Sequence, residues 1–464
     1  MLYLSGQQDK EVSYACSIHR EQRYYNHLSA AVAFSHESHF HGPLFSTLAA
    51  VGPAAKRSRR WTLEAVIYTS LLMALEPSRA LKDRFSHARQ VVVEMFAGRK
   101  RPGKTYQGYV KARRQIDPKQ RSAIHEQLPR HHRRIAGPFW RRDGWLAFSA
   151  DGTRIEVPRT IKNEKAFGCA GRHRTGPQLS LTSLYHMGTG LPWAWQIGAG
   201  TESEQVHLRQ RVASLPSGSL LVADAGFTSF DLLTRLLDHH VEFLVRMGSN
   251  RTLLTGLVDA KITTDGEVVW LWPTSRQAKH PPLMLRLIRI EQANQSPVYL
   301  LTSVMDQRQL TREQIGQFYR MRRGQEVFHR SFKRTLEQHK MRSGSAAEAQ
   351  RELDWAMMAY LMIGLWTVEA LIGANHDPLC WSVAESLRVV RQVVYQGARV
   401  GCTGRLEVLL RRAVKDSYVR KGSKQARQWP RKKKDHPPGP PRIREATEKE
   451  KHRAKAIYEK IKVA

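Results

Sequence analysis

Two apolar runs in this chain end on the same step. "LAFSADGT" reaches Ala-Asp at Asp151, "SLLVADAGF" reaches Ala-Asp at Asp224, and glycine follows within two residues each time. Short apolar runs bounded by glycine read as buried strands. A carboxylate delivered at the end of a buried strand is costly unless it caps something or meets a cation. Taken singly, either aspartate is a turn or helix-cap residue. Taken with a third acid, they constrain the fold to a sheet whose strand ends carry a shared site.

The third acid is Glu326, alone among six Arg and Lys residues in "YRMRRGQEVFHRSFKR", residues 319–334. An ordinary solvated helix would intersperse opposite charges at i,i+4. Thr311 and Gln314 have the spacing of a capping box, which starts a long helix. Along it, Tyr319, Arg322, Glu326, His329 and Lys333 follow at intervals of 3, 4, 3 and 4 residues. At 100° per residue they share one stripe roughly 80° wide. Phe318, Met321, Phe328 and Phe332 form an adjacent apolar stripe that docks the helix on a sheet, placing the polar stripe at a cleft. Three carboxylates can hold two Mg²⁺ ions about 4 Å apart for phosphoryl transfer, while Arg, Lys and Tyr bind the neighbouring phosphates.

The charge balance agrees: the net charge is +34 over 464 residues, which calls for a polyanionic partner such as a phosphate backbone. The four cysteines, Cys16, Cys169, Cys380 and Cys402, have neither zinc spacing nor the density of a disulfide framework, as expected of a reducing compartment. The N-terminus lacks the basic start and apolar stretch of a signal peptide. The apolar stretch at 355–373 is interrupted by Glu369 and reads as a buried core helix; no membrane association is expected.

Residues 1–140 read as a helical, basic, DNA-binding region. Its histidines His36, His39 and His41 lie in a loose arm. Helices follow Thr62 and Thr105, and the second presents Lys111, Arg113 and Arg114 in a layout similar to helix-turn-helix or a plain helical hairpin. Residues 141–250 change to a period of two: a strand with a turn at Asp151–Gly152, a hairpin around Gly188-Thr-Gly190, then strands alternating with helices. Residues 251–304 read as a separate β-rich insertion, 305–375 as the second part of the core, and 376–414 as further helices. The tail 415–464, with Lys432 among its cations, is charged, Pro-rich and expected to be disordered alone. The fold class is α/β.

The spacing Y-x2-R-x3-E-x6-K, formed by Tyr319, Arg322, Glu326 and Lys333, resembles the signature of insertion-sequence DDE transposases of the IS-four family. "DGT" at Asp151 and "D-x-G-F" at Asp224 resemble that family's other acid motifs, in the same order. The resemblance spans about residues 140–375. It implies a ribonuclease-H-like mixed sheet with flanking helices, a β-rich insertion, and helical N- and C-terminal regions. It implies Asp151, Asp224 and Glu326 as catalytic metal ligands for two Mg²⁺ ions, Mn²⁺ substituting, and Tyr319, Arg322 and Lys333 as phosphate contacts. It further implies cut-and-paste transposition through hairpin ends, by a homodimer on double-stranded DNA (terminal inverted repeats and target), in the bacterial cytoplasm at the nucleoid. Two positions depart from the pattern. Ala225 stands where relatives often carry Arg, and Arg323 where some carry a base-stacking Trp. An Arg plane can also stack, and Trp270 or Trp272 is either a substitute wedge or part of a β core. His329 forms E-x-x-H with Glu326, but the resemblance gives it no metal role; it is expected to line the cleft or contact DNA. An inactive DNA-binding descendant, or a nuclease of the same fold, would share these features.

Overall fold

The computed structural model describes residues 60–95, 101–116, 118–169, 176–249, 251–258, 265–277, 280–292, 295–396, 405–416 and 439–463. His36, His39, His41, Cys16, Cys402 and Lys432 lie outside the described residues. The chain forms two compact units and passes between them after Gly137, Arg330 and Lys415.

One unit is helical. It contains α1 (Leu63–Leu75), α2 (Leu81–Met95), α3 (Tyr106–Arg114), α4 (Pro118–Ala136) and, from later in the chain, three further helices. Thr62 and Thr105 cap α1 and α3 as their sequences imply, accepting from Ala65 N and Gly108 N. Tyr109 of α3 is fully buried, stacks on Phe85 and hydrogen-bonds Ser70 Oγ at 2.7 Å. The 28-residue apolar helix Ala346–Gly373 is long enough to cross a membrane, but most of it is buried here as the central helix of this unit.

The other unit is built on one ten-stranded sheet: β1 (Leu146–Glu156), β2 (Gln178–His186), β3 (Leu191–Ala199), β4 (Ser219–Ala223), β5 (Glu242–Met247), β6 (Thr252–Thr255), β7 (Glu267–Leu271), β8 (Leu283–Gln292), β9 (Gln295–Thr302) and β10 (Arg442–Glu445). Its order is β10-β6-β7-β8-β9-β5-β4-β1-β2-β3. The β3-β2-β1-β4-β5 half has antiparallel β1, β2 and β3, then parallel β1, β4 and β5. That is the ribonuclease-H-like arrangement. Helices α5 (Ile161–Phe167), α6 (Glu204–Arg211) and α7 (Phe230–Asp238) fall between its strands.

Three expectations are corrected. No turn interrupts β1 at Asp151–Gly152; the strand runs on to Glu156, because β2 keeps pairing with it to Gln178. The β-rich insertion is not a separate sheet: β9 pairs antiparallel with the open edge of β5, Leu244 opposite Thr302, so the strands extend the core. The tail is not disordered over 442–463. β10 lies parallel to β6, and the helix Glu448–Val463 follows, with Ala454 fully buried. Glu450 holds this segment by bonds with Arg444, Thr447 and Gln277.

Candidate active site

The register of the parallel ladder places the first two acids. Ala150 of β1 pairs with Ala223 of β4, and that is the last rung between them. Asp151 and Asp224 are therefore the next residues on adjacent strands. Paired residues of neighbouring strands share a face and successive residues alternate, so both carboxylates emerge on one face. Each also ties down its own backbone: Asp151 Oδ1 accepts from Gly152 N at 3.0 Å, and Asp224 Oδ1 from Ala225 N at 2.9 Å. The Glu204 carboxyl lies close over Gly152, where a Cβ would make it move aside.

The third acid arrives on a broken helix. The capping box forms as expected, with Thr311 Oγ1 accepting from Gln314 N and Gln314 Oε1 from Thr311 N. The single long helix does not. It divides at Arg322 into α8 (Arg312–Met321) and α9 (Arg323–Arg334), with Gln325 N bonded to Arg322 O at 3.0 Å in a tighter turn. Gly324 lies at this junction, where an added Cβ would come within 2.9 Å of the Tyr185 hydroxyl. The helix therefore presses its backbone onto β2.

Arg322 then joins the acids. Its Nη2 lies 3.1 Å from Glu326 Oε1 and 3.7 Å from Asp224 Oδ2. Its side chain is 11 % exposed, against 50 % for Glu326 and 41 % for Asp224. The guanidinium carbon sits 5.7 Å from the centre of the Tyr319 ring. Burial pushes the Asp151 carboxyl up to about 6; the Arg322 charge and Gly152 N–H oppose this, and Glu204 and Glu326 add to it. Burial likewise raises the Tyr319 hydroxyl, helped by Asp224 and opposed by Arg246 and Arg322.

His329 faces inward, 7 % exposed, with Nδ1 3.7 Å from Asp151 Oδ2 and Nε2 3.1 Å from Ser183 Oγ. It lines the cleft floor. Arg323 is exposed, and so is Lys111 of α3. Lys333 belongs to the helical unit, where it lines a cavity of about 600 Å³ with Arg79, Arg334, Glu337, His339 and Arg342.

Three expected DNA contacts are placed elsewhere. Arg113 is buried, pairs with Glu348 and lies over the Tyr109 ring, because α3 turns that face inward; Arg114 reaches the same carboxylate at 2.8 Å while staying half exposed. Trp270 and Trp272 are 4 % and 3 % exposed and belong to the core of the sheet unit, Trp272 Nε1 donating to His280 O. Neither is a surface wedge.

Sequence reasoning missed Gln325, Ser149, Ser183, Arg246 and Glu204. One signal was available for the first. Gln325 lies seven residues from both Phe318 and Phe332, in the middle of the apolar stripe, where a polar side chain must find partners.

The donor set suits a hard cation: three carboxylates, two of which already converge on one positively charged nitrogen. Among the described residues, no three acidic, His or Cys side chains are gathered tightly enough to enclose a metal as they stand. Comparison with known proteins finds similarity to transposases. The transposase DDE domain model matches residues 146–362, which take in all three acids. Over those residues the chain is similar to the transposase DDE domain. The transposase InsG for insertion sequence element IS4, from Escherichia coli strain K12, is 24 % identical over 411 residues, covering 84 % of this chain and 89 % of that protein. A cryo-EM structure of the piggyBac transposase synaptic complex with hairpin DNA aligns with a TM-score of 0.41 and 11 % identity, over 81 % of this chain and 82 % of that one.

Proposed function

We propose that this protein is a transposase that cuts the ends of a DNA element and joins them to target DNA by metal-dependent phosphoryl transfer, acting as a homodimer on paired inverted repeats in the bacterial cytoplasm. Asp151, Asp224 and Glu326 hold two Mg²⁺ ions, with Mn²⁺ able to substitute. When bound, the metal pair supplies an activated attacking oxygen and charge stabilisation of the leaving one. Tyr319, Arg322 and Lys333 hold phosphates of the strand being cut. Arg322 also keeps Asp224 and Glu326 together when no divalent cation does so, which limits repulsion between the two acids. The exposed Arg323 is placed to stack on an unpaired base, and cleavage proceeds through hairpin ends that are then opened by water.

The observation that carries this reading is the Ala150–Ala223 rung, which sets two acids side by side on the face where Arg322 brings in the third. The test uses a duplex carrying the inverted repeat found beside the reading frame. Mg²⁺ or Mn²⁺ is expected to support nicking and joining to a target plasmid. Ca²⁺ is expected to support binding without cleavage, because its looser coordination does not meet the two-metal geometry. Full cleavage in chelator overturns the metal assignment, and nicking without any joined product makes the protein a nuclease of the same fold.

A further inference from the structure

Gln325 precedes Glu326 and is fully buried. Ser149 and Ser183, its partners, are 0 % and 1 % exposed. Ser149 donates to Gln325 Oε1 at 2.6 Å; Gln325 Nε2 donates to the Ser183 carbonyl at 2.7 Å and to Ser183 Oγ at 3.1 Å. The amide orientation is dictated by chemistry, because a backbone carbonyl only accepts. Once Ser183 Oγ has accepted from Gln325, its own proton is available for His329 Nε2, 3.1 Å away. A neutral ring bonded that way carries its proton on Nδ1, the nitrogen facing Asp151.

The partners are also placed by register. Ser149 and Asp151 are two residues apart on β1 and share a face, and Ser183 is the cross-strand partner of Asp151. One side chain of α9 thus bonds to the strand that carries the first acid and to the strand paired with it. Apolar contacts hold a helix against a sheet but slide easily in rotation; three directional bonds do not. Glu326 is the next residue and half exposed, so nothing in its own burial sets where it points.

We propose that Gln325 is a positioning residue for the DDE site: its clamp on Ser149 and Ser183 sets the rotation of α9 and so aims Glu326, and through Ser183 the His329 ring, at Asp151. This rests on the assignment of Asp151, Asp224 and Glu326 as the reacting centre.

The test compares Gln325→Met, the triple variant Ser149→Ala/Ser183→Ala/Gln325→Met, and Glu326→Gln. Single-turnover cleavage at saturating protein, DNA affinity, melting temperature and the Mg²⁺ concentration giving half-maximal rate are measured for each. Gln325→Met leaves two buried hydroxyls and a carbonyl without their partner, so it is expected to lower the melting temperature. It is also expected to slow cleavage about ten- to a hundredfold, raise the Mg²⁺ requirement, and leave DNA affinity within about twofold, since affinity comes from Lys and Arg. The triple variant, with the hydroxyl partners removed as well, is expected to regain thermal stability and remain slow. Recovery of wild-type rate and Mg²⁺ requirement in the triple variant overturns the proposal, because the clamp then serves stability alone. Ser149→Ala, which removes one hydroxyl, gives the same comparison if Gln325→Met does not fold: a slowed rate with raised Mg²⁺ requirement supports positioning, and a wild-type value for both overturns it. Unimpaired cleavage by Glu326→Gln instead overturns the site assignment on which the proposal stands.

Discussion

Two arginines of this protein each gather carboxylates, to opposite ends. In the helical unit Arg113 and Glu348 are both nearly inaccessible, at 5 % and 9 %, and Glu348 is also bonded by Arg114 and Arg351. In the sheet unit Arg322 is similarly buried, but its partners Asp224 and Glu326 remain 41 % and 50 % exposed. The first cluster is closed: both oxygens of the buried Glu348 carboxylate are already bonded. The second is open, with carboxylate lone pairs facing solvent. An ion-pair network becomes a working site when its acceptor capacity is left over, and that capacity is the difference between these two regions.

The comparison can be broken first at the open cluster. Asp151→Asn, Asp224→Asn and Glu326→Gln keep size and remove charge. Each is expected to reduce strand cleavage by more than about a hundredfold, beyond what misplacement of a single group costs, with DNA affinity kept or slightly improved. Gel assays of nicking beside binding isotherms check this; one variant cutting near the wild-type rate removes that residue from the site. At the closed cluster the effect moves from rate to stability. Glu348→Ala strands a buried guanidinium and is expected to cost about 3–5 kcal/mol, whereas Arg113→Met/Glu348→Leu is expected to come close to wild type. Denaturant unfolding reads both, and a Glu348→Ala protein of unchanged midpoint contradicts the closed-cluster account. A smaller effect sharpens the contrast at a third pair. The Glu450 carboxyl is lowered to about 2, chiefly by Arg444 and then by its bonds with Thr447 and Gln277, against an ordinary value of 4.5. A depressed acid stabilises above its unfolded value and ceases to as it protonates. The contribution of Glu450 is therefore whole above pH 4.5 and is lost as pH falls toward 2. Protection factors for hydrogen exchange in Arg442–Glu445, relative to the intrinsic rate at each pH, are expected to fall across that window in wild type and to be insensitive to it in Glu450→Gln.

What could be read from the sequence follows from which forces leave a pattern in it. The strands carrying Asp151 and Asp224 were legible because burial on both faces leaves unbroken apolar runs, and the start of α8 because Thr311 and Gln314 cap it chemically. The closed cluster was not, since an Arg in a basic helix looks the same whether it points at solvent or at Glu348; Arg113 and Lys111 differ only in burial. Nor was β10, because it pairs through its backbone and is held by Glu450 rather than by apolar side chains, so hydropathy reports a tail. The placement of Trp270 and Trp272 turned on β9 joining β5, a pairing between edges that no local pattern encodes. Gln325 needed the helix register and the strand register together.

The pairing of Arg442 with Thr252 has a consequence for how the protein is made. On a ribosome, β6 emerges long before its outer neighbour, with the helical segment 331–415 synthesised in between. Throughout that interval β6 offers a row of unpaired backbone groups, the kind of edge to which another chain's strand can add. Synthesis of β10, rather than folding of any earlier segment, is what covers the β6 edge. A chain in which β10 is not yet made is then a sticky molecule, open to pairing with another such chain along that edge.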